Sequence, residues 1–74
     1  MLSKKGFTEI LGKKLKEARL KKGLTQDELS HKAGFYRTYI NLIETAKRTP
    51  SSYNLHRLAN ALKVRISELY PSSE

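Results

Sequence analysis

A chain of 74 residues without a cysteine makes one small domain, and neither a disulfide nor a thiolate-held metal can staple it. Its net charge of +8, from 15 Lys and Arg against 7 Asp and Glu, selects an anionic partner: nucleic acid, an acidic protein or an anionic membrane surface. No apolar run approaches the roughly 20 residues that cross a bilayer, and no apolar segment of the signal-peptide kind follows the basic start MLSKKGF, so a cytoplasmic protein is expected.

The charge is uneven. Residues 1–23 hold eight bases and two acids, residues 24–46 two bases and three acids, and residues 47–74 five bases and two acids. The middle third therefore owes its role to something other than bulk charge. The apolar spacing is helical throughout, with no repeat, no low-complexity tract and no linker, so the whole of 1–74 reads as one all-α domain with a core over about 7–70.

The first helix is predicted from about Thr8, as its cap, to Lys22, with Phe7, Ile10, Leu11, Leu15 and Ala18 on one face. Lysines fill the other faces, and Gly23 stops it. Thr25 with Glu28 three residues on is a capping box for a second, short helix that turns Leu29 and Ala33 inward and ends at Gly34. A third helix is predicted from about Tyr36 to Ala46, with Ile40 and Ile43 in the core and Phe35 packing at its entry. Pro50 disfavours helix at Thr49. Ser51 then caps a fourth helix carrying Leu55, Leu58, Ala59 and Leu62 inward, and Val64, Ile66, Leu69 and Tyr70 form a short fifth before Pro71 and the closing SSE. Five helices with short connections give a compact bundle, and two short helices joined by a glycine-containing turn are the helix-turn-helix pattern.

The string TQDELSHKAGFYRTYINLIE, residues 25–44, resembles the helix-turn-helix of the phage repressor and Cro-like family of DNA-binding regulators, the XRE type. LGKKLKEARLKKGLTQ before it looks like the family's first helix and its entry to the second, and LHRLANALKVRISELY after it looks like the fourth and fifth helices. Within the family, RTYI at residues 37–40 is most similar to the restriction–modification controller proteins, small dimers that regulate their own gene and the neighbouring endonuclease gene. One departure stands out. The family usually carries Gly shortly after the Glu that ends the third helix; here Ala46 stands near that place, so either the helix runs on or the loop bends differently.

The resemblance implies roles residue by residue. Arg37 and Thr38 fall at the start of the third helix, where recognition helices meet base edges: Arg can bind guanine in a bidentate way, and the Thr methyl can meet a thymine methyl. Tyr36 precedes them and reaches a base or a phosphate. Asn41 lies one turn past Arg37, to read adenine or to face solvent. Gln26 opens the second helix, where the family's matching Gln holds the DNA backbone. Tyr39 can pack its ring and offer its hydroxyl to a phosphate. Lys47 and Arg48 follow the recognition helix as backbone contacts or as a plain basic loop, and Ser52 and Asn54 open the fourth helix as further phosphate contacts. Arg19 and Glu44 match positions that family members join as an ion pair, a structural role. Leu62, Ile66, Leu69 and Tyr70 exceed what a small bundle needs at its C-terminus and are assigned to a homodimer interface, which would relate two recognition helices by a two-fold axis.

The function implied is a homodimeric, sequence-specific transcription regulator on a pseudo-palindromic operator in double-stranded DNA, a restriction–modification controller in kind. RNA polymerase is a possible second partner; no membrane and no cofactor is implied. A phage or plasmid repressor or an antitoxin of the same fold, and a protein-interaction adaptor that does not read DNA, remain as alternatives. A basic amphipathic first helix on a membrane is a third. His31 and His56 are isolated from any metal-ligand set, and no nucleophile–base or paired-carboxylate arrangement appears, so enzyme chemistry and a metal are not expected.

Overall fold

The computed structural model describes residues 2–71; the closing SSE lies outside them. Four α-helices follow one another: α1 Lys4–Lys21, α2 Gln26–Ala33, α3 Arg37–Glu44 and α4 Ser52–Leu62, and a single 3-10 turn, Ile66–Glu68, closes the fold. The architecture is all-α, and the expected fifth helix is not formed. The chain reverses at Lys63 (φ 57) and meets Pro71 eight residues later, which leaves room for one turn tied by the N–H of Leu69 to the Ile66 carbonyl at 3.0 Å.

α1 starts earlier than the spacing predicts. Ser3, not Thr8, is its cap, its hydroxyl accepting the N–H of Gly6 at 3.0 Å. The first turn is Lys-Lys-Gly, which carries no apolar signal and sets two cations against the helix dipole, so nothing in the pattern announces it. Thr8 sits inside the helix and is buried, its hydroxyl paired at 2.7 Å with that of Thr49. The second helix begins as read: Thr25 Oγ1 accepts the N–H of Glu28 at 3.0 Å, and the Glu28 carboxylate accepts the N–H of Thr25 at 2.9 Å. That bond holds the Glu28 carboxyl below its ordinary pKa. α3 is shorter than predicted. It ends at Glu44 because the N–H groups of Ala46 and Lys47 fold back onto the carbonyls of Ile43 (3.1 Å) and Leu42 (2.8 Å). This is the double-bonded C-terminal cap that needs a left-handed residue, and Ala46 supplies it at φ 62. Ala46 thus makes the left-handed bend where a glycine was expected, and the helix does not run on.

The core is one cluster: Leu11 and Leu15 of α1, Leu29 and Ala33 of α2, Ile40 and Ile43 of α3, four residues of α4, and Leu69. Ile10, read as inward, is only half-buried. α1 packs on α3, and α2 on both α3 and α4. Gly12 allows the first of these contacts. A Cβ built there would collide with the Ile43 carbonyl oxygen, so only hydrogen fits between the two backbones. Across the same contact Arg19 Nε donates to Glu44 Oε2 at 2.7 Å, Nη2 to Oε1 at 3.0 Å, and Nη1 to the Leu24 carbonyl at 2.8 Å. Bonding to Glu44 pushes the Arg19 pKa above its ordinary value, although burial opposes it. The pair fixes the end of α3 against α1 and against the entry to α2. No helix among the described residues is long and apolar enough to cross a membrane.

Candidate nucleic-acid interface

α2 and α3 meet through a three-residue turn, Gly34 to Tyr36. Gly34 takes φ 76, and Phe35 returns its N–H to the Ser30 carbonyl at 2.9 Å. The turn is also clipped from outside. Arg57 of α4 donates to the carbonyls of Ala33 at 2.8 Å and Gly34 at 3.0 Å, and lies 4.1 Å from the centre of the Phe35 ring. Nothing in the sequence marks Arg57 for this; it falls among the polar positions of α4, and only the folded chain brings it to the turn.

The clipped turn sets α3 with its first residues outward. Arg37, Thr38 and Asn41 are exposed and share one shallow groove with Gln26 of α2. Neither Arg37 nor Thr38 is bound to anything else through its side chain among the described residues, so both are free to meet a ligand. Tyr36 caps α3 and is 86% exposed, with its side chain making no cap bond. A tyrosine ring left in water has no packing role to explain it.

Gln26 is placed differently from a free phosphate ligand. Its Nε2 donates to Glu44 Oε1 at 3.1 Å, and its Oε1 stands 3.5 Å from Asn41 Nδ2, at the outer limit of a hydrogen bond. The Arg19–Glu44 pair thereby continues to the surface and orients the Gln26 amide. Tyr39 is half-buried against Phe35, ring centres 4.8 Å apart, and its hydroxyl accepts from Asn54 Nδ2 at 2.9 Å. Tyr39 and Asn54 thus hold each other where α3 and the start of α4 come together. Arg48 lies over the Tyr39 ring at 5.4 Å, and Lys47, Arg48 and Ser52 are exposed. Ser51 caps α4, its hydroxyl accepting the N–H of Asn54 at 3.1 Å. The candidate contacts from α2, α3, the α3–α4 connection and the first turn of α4 belong to neighbouring segments joined by these bonds.

The residues assigned to a dimer interface divide. Leu62 (1% exposed) and Leu69 (0%) are spent on the monomer core and have no surface to give a partner. The helical spacing that already turned Leu62 inward wins over its assignment to the interface, and Leu69 is carried inward by the turn at Ile66–Glu68. Ile66 is half-buried, and Tyr70 is half-exposed with its ring meeting that of Phe7 edge-on at 5.2 Å. His31 stands 3.5 Å from Asp27 on the exposed face of α2, and no three metal-ligating side chains come together among the described residues.

A family model described as helix-turn-helix matches residues 15–69. An uncharacterized HTH-type transcriptional regulator of Sinorhizobium fredii, y4dJ, is 36% identical over 61 residues, 82% of this chain and 79% of the relative. The control protein C.MunI of a Mycoplasma species is 36% identical over 64 residues, 85% of this chain and 86% of its own. Among solved structures, the restriction-modification controller protein C.AhdI from Aeromonas hydrophila superposes with a TM-score of 0.83 at 35% identity, over 85% of this chain and 96% of that one.

Proposed function

The chain belongs to the helix-turn-helix family of transcriptional regulators, and from that premise we propose that it is a DNA-reading regulator of the restriction–modification controller kind, acting as a homodimer on a pseudo-palindromic operator. The observation that carries the base-reading role is the groove at the start of α3, where Arg37, Thr38 and Asn41 stand exposed beside Gln26 with Arg37 and Thr38 free of internal duty.

The mechanism is occupancy. α3 enters a major groove by its first turn, where Arg37 pairs with guanine O6 and N7 and Thr38 lays its methyl against thymine. Tyr36 and Asn41 flank them on base edges. Gln26, held by Glu44, meets a phosphate with the amide edge its internal bonds leave open. Tyr39, Lys47, Arg48, Ser52 and Asn54 fix the register along the backbone. Two copies meeting around Ile66 and Tyr70 would set their recognition helices about 34 Å apart, one turn of the duplex. Bound near a promoter, the dimer blocks polymerase or helps recruit it according to operator position.

Selection from a random duplex library at moderate salt tests this. A pseudo-palindrome with half-sites about one helical turn apart is the expected product. On that operator Arg37→Ala costs about 1–3 kcal/mol and relaxes one base position in each half-site. Retention without sequence enrichment would refute base reading and favour an adaptor with the same fold.

A further inference from the structure

Lys4 and Lys5 at the start of α1 and Lys47 and Arg48 of the α3–α4 connection line one open hollow, with Thr49 between them. No acidic side chain lines it, and none of the four cations enters an ion pair among the described residues. Its floor is fixed. The Thr8–Thr49 hydroxyl bond ties α1 to the connection at 2.7 Å, and Arg48 leans on Tyr39 of the recognition helix at 5.4 Å. Positive charge therefore continues from the flank of α3 across the connection to α1.

The two lysines are badly placed for the helix that carries them. The first turn of a helix favours acids and disfavours cations, and α1 has no acid there. A local choice made against the helix marks a position where something other than stability decides. Both also lie outside residues 15–69, the segment the family model matches.

We propose that Lys4 and Lys5 extend the backbone contacts of Lys47 and Arg48 into a longer phosphate-binding track, gripping the same duplex beyond the contacts made by α2, α3 and the start of α4. The proposal rests on the DNA-binding reading above. Ammonium and guanidinium groups set on phosphates release condensed counterions, so the track adds affinity and salt dependence without adding sequence preference.

The test is the salt dependence of binding by the whole chain to a labelled 40-base-pair duplex pool of random sequence, read by fluorescence anisotropy from 50 to 300 mM NaCl. Lys4→Gln/Lys5→Gln is expected to reduce the slope of log affinity against log salt by about 1–2 for each bound protomer, near 0.9 per lost phosphate contact. Lys4→Arg/Lys5→Arg should restore it. Lys21→Gln/Lys22→Gln removes the same charge some 25 Å along the helix, at about 1.5 Å per residue, and should leave the slope unchanged. All four lysines are exposed, so circular dichroism should show each variant folded. Equal losses in the two glutamine variants would mean diffuse charge and overturn the track. So would an unchanged slope, or full competition by poly-glutamate showing the same dependence on Lys4 and Lys5, which would indicate an acidic protein partner. The two readings fail separately. If selection yields no preferred sequence while Lys4→Gln/Lys5→Gln still flattens the slope, base reading is lost and the track stands; no DNA binding by the parent chain overturns both.

Discussion

Ala46→Gly should make the protein more stable. Ala46 stands at the left-handed position that closes α3, at φ 62, with its own N–H on the Ile43 carbonyl and the N–H of Lys47 on that of Leu42. An L side chain in this region costs about 1–2 kcal/mol, because Cβ crowds the backbone carbonyl oxygen. Glycine escapes that cost but has a freer unfolded chain, which returns about 0.5–1 kcal/mol. The balance favours glycine by about 0.5–1 kcal/mol. For a domain of this size that raises Tm by about 2–8 °C. The assay is thermal unfolding followed by circular dichroism at 222 nm, with urea unfolding beside it. The urea midpoint should rise at constant slope, the mark of a native-state gain rather than a changed unfolded state. The recognition helix keeps its cap and the basic loop keeps its charges, so DNA affinity at low temperature should not move. An unchanged or lowered Tm would refute the reasoning, for it would mean that the Ala46 methyl contributes packing worth more than the backbone strain.

Gly12→Ala should be the opposite case. Its Cβ collides with the Ile43 carbonyl oxygen, so α1 and α3 must part, at a cost of about 1–3 kcal/mol visible in the urea midpoint; an unchanged midpoint would show that the contact yields freely. Glu44→Ala leaves the Arg19 guanidinium buried without its carboxylate and should cost about 3–5 kcal/mol, while Arg19→Met with Glu44→Leu should recover most of that loss. If the single and double variants unfold alike, the pair is not what joins the helices. The Glu28 carboxyl has its folded pKa lowered by the N–H of Thr25, so its contribution is present above the ordinary value of 4.5 and disappears as pH falls through the lowered one. The Tm gap between the parent and Glu28→Gln should therefore be open at pH 7 and close in acid, and a gap independent of pH would show that the charge plays no part.

The helices were legible wherever a local signal had a local cause. Thr25 and Glu28 are three residues apart and cap each other whatever the rest of the chain does. The i, i+3, i+4 spacing of Leu11 and Leu15, and of Leu55, Leu58 and Leu62, needs only the helical period to define a face. The outward set of Arg37, Thr38 and Asn41 was legible too, as the remainder of α3 once Ile40 and Ile43 were assigned to the core. The residues that face nucleic acid in the proposed function are therefore marked by the local pattern of α3 itself.

What tertiary structure decided were the contacts between segments far apart in sequence. Thr8 reads as a cap by type and becomes a buried partner of Thr49, 41 residues away. Gly12 looks like a weak spot in a helix, yet it is where α3 comes closest. Arg57 looks like solvated surface, yet it holds the turn before α3. Leu69 counts as apolar surplus in the sequence and is spent inside the monomer, because burial depends on where an element is set, not on its composition. The joining of Lys4 and Lys5 to Lys47 and Arg48 belongs to the same class. Charge along a chain is additive and can be counted from the residues, but a charged surface exists only after folding has set its members side by side.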